Sequence, residues 1–289
     1  MPLLKIIILA IVQGLAELLP VSSSAHVVVA EKLMGLDPSS PPMTLLLVML
    51  HTGTMFAVIV YFWQRWRSTY FSSGPAFRNF AVLIVIATAL TAVVGEMLIK
   101  LIEKTAFRNL PHAQIEDLFS HLELIAPALA AAGLLILIAG IFEKRQPARA
   151  ASAADDLNMK QAGVIGAVQG LCLPFRGFSR SGATISTGML LGVSKARAED
   201  FSFALAVVLT PPVVAREVLR LIQSARINGT ADLAAAGLYS VFGAVVAFFA
   251  GLLALRWLSR WLEGGRWYLF GIYCLVAAAA VTALRHAGY

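Results

Sequence analysis

The sequence has few charged residues and almost no cysteine. Only 13% of its 289 residues are Asp, Glu, Lys or Arg, whereas 59% are hydrophobic. A water-soluble domain is charged at about a quarter of its positions, so this chain has too little charge for a water-facing surface. The two cysteines, Cys172 and Cys274, lie far apart in apolar sequence, and no disulfide framework is indicated. The composition predicts a multi-pass membrane protein with buried thiols.

The net charge of +7 does not indicate a nucleic-acid partner. Lys and Arg lie mainly in short connections between apolar runs, and no basic patch with interleaved aromatic residues occurs. Such a distribution is typical of membrane proteins, whose cytoplasmic connections are enriched in Lys and Arg. The apolar run 6–12 lacks the small-residue cleavage site of a signal peptide, so we expect it in the mature protein. The partner that these features predict is the lipid bilayer.

Six apolar runs are long enough to cross a bilayer, which takes about 20 apolar residues in a helix. They are residues 43–63, 80–98, 124–142, 201–222, 233–257 and 267–284.

Two other apolar segments, 3–35 and 161–192, are interrupted by helix breakers and hydroxyl residues. The first is broken at Pro20 and the serines that follow it, and the second is broken between Pro174 and Gly182. Non-helical backbone is tolerated at membrane depth only where protein or a water-filled cavity covers it. We therefore predict two re-entrant helical hairpins whose polar turns are covered by the rest of the chain.

The two hairpins resemble each other, since Gln-Gly-Leu occurs at 13–15 and again at 169–171. We predict an all-α integral membrane protein of two repeats, 1–143 and 161–289, joined by a cytoplasmic linker at 144–160. Each repeat is a hairpin followed by three transmembrane helices. An odd number of crossings inverts the second copy, so the two hairpin tips enter from opposite faces and meet near the midplane.

The first tip carries a carboxylate, three hydroxyls and an imidazole. On a helix Gln13 and Glu17 share one face, and their oxygens suit a hard divalent cation; the alternative is a polar pair that bonds across the helix bundle. The serines at 22–24 can cap the following helix, but three hydroxyls exceed what a cap needs. His26 lies within one turn of them, which is typical of an activated nucleophile beside its base.

The second tip carries positive charge and more hydroxyls. The guanidinium of Arg180 matches phosphate oxygens bidentately; its alternative role is a structural ion pair with Glu17. For Arg176 the sequence leaves two roles open, substrate binding and loop packing. His51, within the run 43–63, is expected to line a cavity or to make an interhelical hydrogen bond. The hydroxyl residues of this tip that we expect to face the substrate are Ser179, Ser181 and Thr184.

At these motifs the sequence resembles the bacitracin-resistance family of undecaprenyl-diphosphate phosphatases. The resemblance lies in Gln13-Gly-Leu-Ala-Glu17, in Leu19-Pro-Val-Ser-Ser-Ser-Ala-His26 and in Gly177-Phe-Ser-Arg-Ser-Gly-Ala-Thr184. It extends over nearly the whole chain. Two positions depart from the family's pattern: Gln13 replaces a glutamate that some members carry, and Arg176 stands where the family usually has proline.

The resemblance implies hydrolysis of the terminal phosphate of undecaprenyl diphosphate, a C55 lipid. This regenerates the lipid carrier for peptidoglycan synthesis, and with it cell-wall biogenesis, cell shape and bacitracin resistance. It also implies a divalent cation, Mg²⁺ or Ca²⁺, and a site in the bacterial cytoplasmic membrane that opens to the periplasmic face. Whether the protein forms a homodimer is left open.

The family's residue roles map onto this chain by position. The metal and acid–base role falls on Glu17 with Gln13, the nucleophile on Ser23 and the histidine on His26. Arg180 takes the diphosphate-binding role, and the resemblance leaves open whether Ser23 or water attacks. The further substrate-binding positions are Ser22, Ser24, Arg176, Ser179, Ser181 and Thr184.

The alternative function is a polyprenyl-phosphate flippase or secondary transporter. Inverted repeats with helices broken at the midplane are typical of secondary transporters, and the architecture alone favours that class. The serines and histidine that face Arg180 favour an enzyme, because a carrier has less use for a nucleophile with a base.

Overall fold

The computed structural model describes residues 2–37, 40–106, 122–145, 156–228, 233–262 and 266–287. Within these ranges the chain forms ten α-helices. They are α1 (Leu3–Ala16), α2 (Ser23–Leu33), α3 (Pro41–Thr69), α4 (Gly74–Ala106), α5 (Leu122–Arg145), α6 (Met159–Cys172), α7 (Arg180–Leu190), α8 (Lys195–Asn228), α9 (Leu233–Leu262) and α10 (Trp267–His286).

Six of these helices, α3, α4, α5, α8, α9 and α10, contain stretches long and apolar enough to cross a membrane. They coincide with the six predicted runs, and an all-α membrane protein is confirmed at this level. The helices extend beyond the predicted runs, so that the connection between α3 and α4 is residues 70–73 rather than 63–78. Arginine is a good helix former, and Arg65 continues α3 to reach Asp200 of α8, with Nη2 2.5 Å from Oδ1.

The helix order repeats along the chain, with two short helices followed by three long ones in each half. The short helix α1 packs on α9, and its counterpart α6 packs on α4. The last helices of the two halves, α5 and α10, pack on each other. The first short helix of each half thereby packs against a long helix of the other half.

Small residues bring the short and long helices into close contact. A Cβ added to Gly166 of α6 would lie 2.2 Å from the carbonyl oxygen of Ala87 on α4. Gly53 of α3 packs as closely on Ala244 of α9, where a Cβ would lie 2.0 Å from the carbonyl oxygen. Such close backbone approach is how membrane helices gain packing energy.

Several sequence predictions fall on residues outside the described ranges. The predicted linker 144–160 includes 146–155, and the connection between the second and third predicted spans includes 107–121. Both cysteines are free, as the sequence predicted; Cys274 is buried, whereas Cys172, which was also expected to be buried, is half-buried.

Candidate active site

The first hairpin tip turns sharply between α1 and α2. Glu17 is the residue after α1, and Ser22 caps α2 by accepting a hydrogen bond from the backbone N–H of Ala25 at 3.4 Å. Ser22 has a φ of 65° and is the one non-glycine residue of the described chain with positive φ. L-residues adopt this left-handed conformation at a cost of about 1–2 kcal/mol, so neighbouring contacts must hold the turn.

Glu17 accepts hydrogen bonds from three side chains and lies beside a fourth. Its Oε1 lies 2.5 Å from Nη2 of Arg180, which belongs to the second tip. Its Oε2 accepts from Ser23 Oγ at 2.5 Å and from Gln13 Nε2 at 2.9 Å, and it lies 3.0 Å from His51 Nδ1. The side chain of Glu17 is only 10% exposed. The ion pair that we considered as an alternative role of Arg180 is therefore present, and it joins the two tips.

The second tip turns at Gly177, whose φ is +107° and whose added Cβ would lie 2.6 Å from the carbonyl oxygen of Ile125. Ser179 then caps α7 by accepting from the backbone N–H of Gly182 at 3.2 Å. Arg180 is the first residue of α7. The cap therefore places the guanidinium of Arg180 and the N-terminus of α7 at the same point.

The two tips line one cavity of about 390 Å³. Eight of the predicted site residues and His51 line this cavity, and apolar side chains, mainly of α3 and of the loop before α7, complete the wall. The polar lining residues are Glu17, Ser22, Ser23, Ser24, His51, Gln169, Ser179, Arg180, Ser181, Arg176 and Arg216. Gln13 lies behind Glu17 and is fully buried.

Besides Gln13, two predicted site residues lie outside the lining of this cavity. Thr184 is fully buried, donates to the carbonyl oxygen of Arg180 at 2.8 Å and lies 2.6 Å from Ser202 Oγ. It therefore supports the first turn of α7 from behind, because its place on the helix turns it toward α8.

His26 is the second such residue. Its Nδ1 lies 2.8 Å from the carbonyl oxygen of Ser22, and its Nε2 lies 2.7 Å from the hydroxyl of Tyr273 on α10. The predicted pairing of Ser23 with His26 is therefore not the one in the structure, where Ser23 donates to Glu17. His26 lies one helical turn after Ser22, and its ring contacts the same carbonyl that accepts the backbone N–H of His26.

Tyr273 is the contact that sequence reasoning missed, whereas His51 was expected to line a cavity or to make an interhelical hydrogen bond. His51 had a visible signal, since a histidine within an apolar run is a functional candidate. Its Nδ1 lies 2.8 Å from Gln13 Nε2 as well as beside Glu17. Tyr273 carried no signal, because tyrosine is common in membrane helices.

Arg176 lies in the same wall and interacts electrostatically with Glu31 of α2. Glu31 belongs to the short helix α2, and its side chain is buried. Burial raises the pKa of Glu31 to about 7, although the positive charge of Arg176 acts to lower it. Arg176 therefore connects the loop before α7 to α2.

Few protein oxygens near Glu17 are available to a divalent cation. Within the described ranges no group of three His, Cys, Asp or Glu side chains could hold a metal ion. The buried Oε1 of Gln13 has no hydrogen-bond partner among the described residues, and it lies on the residue that bonds Glu17. Mg²⁺ is often bound by one or two carboxylates with substrate phosphates as its other ligands, and Glu17 is the carboxylate that this cavity offers.

Comparison with known proteins identifies the family. Residues 6–280 match the family model described as bacitracin resistance protein BacA. The chain belongs to this family. It is 56% identical to undecaprenyl-diphosphatase 2 of Acinetobacter baylyi, with 98% of each chain covered. It is also 34% identical to the undecaprenyl-diphosphatase of Acidovorax ebreus, with 96% of this chain and 95% of the relative covered.

Proposed function

We infer that this protein is a membrane phosphatase that hydrolyses undecaprenyl diphosphate to the monophosphate and phosphate. Its membership of the BacA family and its identity to proteins named undecaprenyl-diphosphatase support this activity. The observation in the structure that carries it is the meeting of Glu17, Ser23 and Arg180 in one cavity. The reaction returns the lipid carrier to peptidoglycan synthesis, which agrees with the family's bacitracin resistance.

We propose that the cavity binds the diphosphate group. Arg180 and the N-terminus of α7 offer positive charge and N–H donors at one point, which favours phosphate. Arg176 adds a second cation, and the hydroxyls of Ser22, Ser24, Ser179 and Ser181 surround the same space. The lipid's phosphates displace Arg180 from Glu17, because they offer the guanidinium more negative charge than one carboxylate does. Substrate binding thereby frees the Glu17 carboxylate for the reaction.

The hydrogen bond from Ser23 to Glu17 suggests how the nucleophile is activated. Ser23 Oγ attacks the terminal phosphorus while Glu17 accepts the hydroxyl proton, as a general base does. The bond from that phosphorus to the bridging oxygen breaks, and undecaprenyl monophosphate leaves. Water then hydrolyses the phosphoserine and releases phosphate. In the alternative route water attacks directly, with Glu17 or His26 as the base.

A divalent cation, Mg²⁺ or Ca²⁺, is part of the proposal. Glu17 and the amide oxygen of Gln13 would hold it, and it would neutralise charge on the diphosphate. Arg180 contributes to the same neutralisation from the opposite side of Glu17.

We also propose how the protein lies in the membrane. The pairs α1–α2 and α6–α7 are re-entrant hairpins of two inverted repeats in the bacterial inner membrane, and the cavity opens to the periplasm. An adjoining cavity of about 250 Å³ shares Glu17, His51 and Arg180 and is otherwise lined mainly by apolar residues of α3 and α8. This apolar space receives the first isoprene units of the lipid, whose tail continues between the long helices. The protein acts as a monomer or as a homodimer.

Phosphate release from a C55 or C15 prenyl diphosphate by purified protein in detergent tests the proposal. The assay is run with Mg²⁺, with Ca²⁺ and with EDTA, and we expect metal-dependent release. Arg180→Ala should abolish release, whereas the matched control Arg285→Ala removes only an exposed ion pair with Glu123 and should retain it. Binding of the lipid without release under any condition would contradict the phosphatase and favour the flippase.

A further inference from the structure

The imidazole of His26 bridges the first hairpin tip and the last long helix. One ring nitrogen, Nδ1, lies 2.8 Å from the carbonyl oxygen of Ser22, and the other, Nε2, lies 2.7 Å from the hydroxyl of Tyr273. The two rings also stack, with centroids 5.7 Å apart and planes inclined by 12°. His26 is therefore held at both of its ring nitrogens.

These contacts select one tautomer of the neutral ring. The carbonyl of Ser22 can only accept a hydrogen bond, so Nδ1 of His26 carries the proton and donates it. Nε2 then has a lone pair, and the hydroxyl of Tyr273 donates to it. The hydrogen bond at one ring nitrogen of a histidine determines which nitrogen is protonated, so Tyr273 stabilises the form of His26 that can bind Ser22.

The bond from His26 supports the backbone conformation that most needs support. Ser22 is left-handed, and such strain persists only where surrounding contacts over-determine it. The backbone N–H of His26 approaches the Ser22 carbonyl at only 3.3 Å, so the ring supplies the shorter bond at 2.8 Å. The turn at Ser22 leads directly into Ser23, whose hydroxyl lies 2.5 Å from Glu17.

We propose that Tyr273 is a positioning residue for the reaction, acting through His26. Tyr273 holds the imidazole, the imidazole holds the carbonyl of Ser22, and the Ser22 turn presents Ser23 to Glu17. This inference rests on the proposed phosphatase activity and gives it a component from α10, which lies outside both hairpins. It also gives His26 a role in which its ring donates a hydrogen bond rather than accepting a proton from Ser23.

The first test compares Tyr273→Phe with Tyr268→Phe in the full-length protein. Both variants remove one hydroxyl from α10, but Tyr268 packs on Gly140 and Lys144, away from His26. We expect Tyr273→Phe to lower kcat about tenfold, as the loss of one hydrogen bond in the transition state does, with KM nearly unchanged. Tyr268→Phe should leave both constants unchanged. Equal kinetics in the two variants would overturn the proposal.

The second test asks whether His26 acts as a hydrogen-bond donor. Asparagine places an N–H near the position of Nδ1 but has no counterpart of Nε2. We expect His26→Asn to stay within about tenfold of the wild type. His26→Leu should lose about a hundredfold, because a misplaced nucleophile costs about that much. Adding Tyr273→Phe to His26→Asn should cause no further loss. Equal, severe loss in both His26 variants would assign His26 to proton transfer and overturn the positioning role.

Two controls distinguish a failure of the role proposed for Tyr273 from a failure of the proposed phosphatase activity. The melting temperature and elution volume of each variant in detergent show whether it is folded, so a loss of kcat in a folded variant reports on the site. If the wild type releases no phosphate, the proposed function fails. If the wild type is active and Tyr273→Phe behaves as Tyr268→Phe does, only the role of Tyr273 fails.

Discussion

The two hairpin tips share a local plan and differ in how they are held. Each has a short helix, a break and a serine that caps the next helix, with Ser22 in the first tip and Ser179 in the second. The first tip is held by side-chain hydrogen bonds through His26 to Tyr273 of α10. The second is held by backbone packing, because Gly177 rests on the carbonyl of Ile125 in α5.

The two tips also contribute different chemical groups to the site. The first tip supplies the carboxylate and the hydroxyl that it polarises, whereas the second supplies the guanidinium at a helix N-terminus. Each tip is supported by the last helix of the other half of the chain. A backbone contact suits the tip that must present a fixed cation, and a hydrogen-bonded turn suits the tip that presents the reacting hydroxyl.

The largest expected effect comes from removing the charge of the first tip. Glu17→Gln keeps the side chain's size but removes the base for Ser23, and phosphate release should fall at least about a thousandfold. Lipid binding should persist, because Arg180 is then free for the phosphates. Isothermal titration with a non-hydrolysable prenyl phosphonate and the release assay measure the two quantities. Glu96→Gln, which removes an exposed carboxylate, is the matched control.

The second tip should lose its conformation when the backbone contact between Gly177 and Ile125 is disrupted. In Gly177→Ala the new Cβ meets the carbonyl of Ile125 at a φ that L-residues rarely adopt, which destabilises the protein by about 2 kcal/mol. We expect a lower melting temperature and about a hundredfold slower release, because the loop that leads to Arg180 shifts.

The control for this loss is Gly74→Ala, since a Cβ there would have no neighbour within 4 Å. It should match the wild type in both measurements. An unchanged melting temperature and rate in Gly177→Ala would show that the second tip is not held by backbone packing.

A smaller effect on the rate of phosphate release is expected when either of the two buried glutamines is replaced, and it should differ between them. Gln13 donates to Glu17, but Gln169, its counterpart in the second hairpin, donates to Thr91 Oγ1 at 3.2 Å. Gln13→Leu should lower the rate about tenfold and raise the Mg²⁺ concentration needed for half-maximal activity, because an oxygen ligand is lost. Gln169→Leu should change the rate less than about threefold. A shared Mg²⁺ response would argue against a cation at Gln13.

Sequence reasoning predicted the parts of the structure that depend on local composition. The six apolar runs identified the six long helices, and the breakers at Pro20 and at 174–182 located the turns between short helices. Glu17 and Arg180 were recognised as site residues because isolated charges in apolar sequence require a partner, and each of them supplies that partner to the other.

The remaining features depend on three-dimensional packing. Ser23 and His26 are three residues apart, a spacing that places both on one helix face, but the imidazole contacts the carbonyl of Ser22 and the hydroxyl of Tyr273 instead. Thr184 was expected in the cavity and instead contacts Ser202, because the rotation of α7 is set by its neighbours. Tyr273 is far from His26 in the chain, and nothing in its sequence context marks it.

The central claim is that the two tips form one reacting site through Glu17 and Arg180. It is tested most directly by a double-mutant cycle on phosphate release, with Glu17→Gln, Arg180→Ala and both changes together. We predict that each single change removes most of the activity and that the double variant is no slower than the slower single variant, because the residues act as a unit. Losses that simply multiply would show that the two tips act independently and would contradict the account.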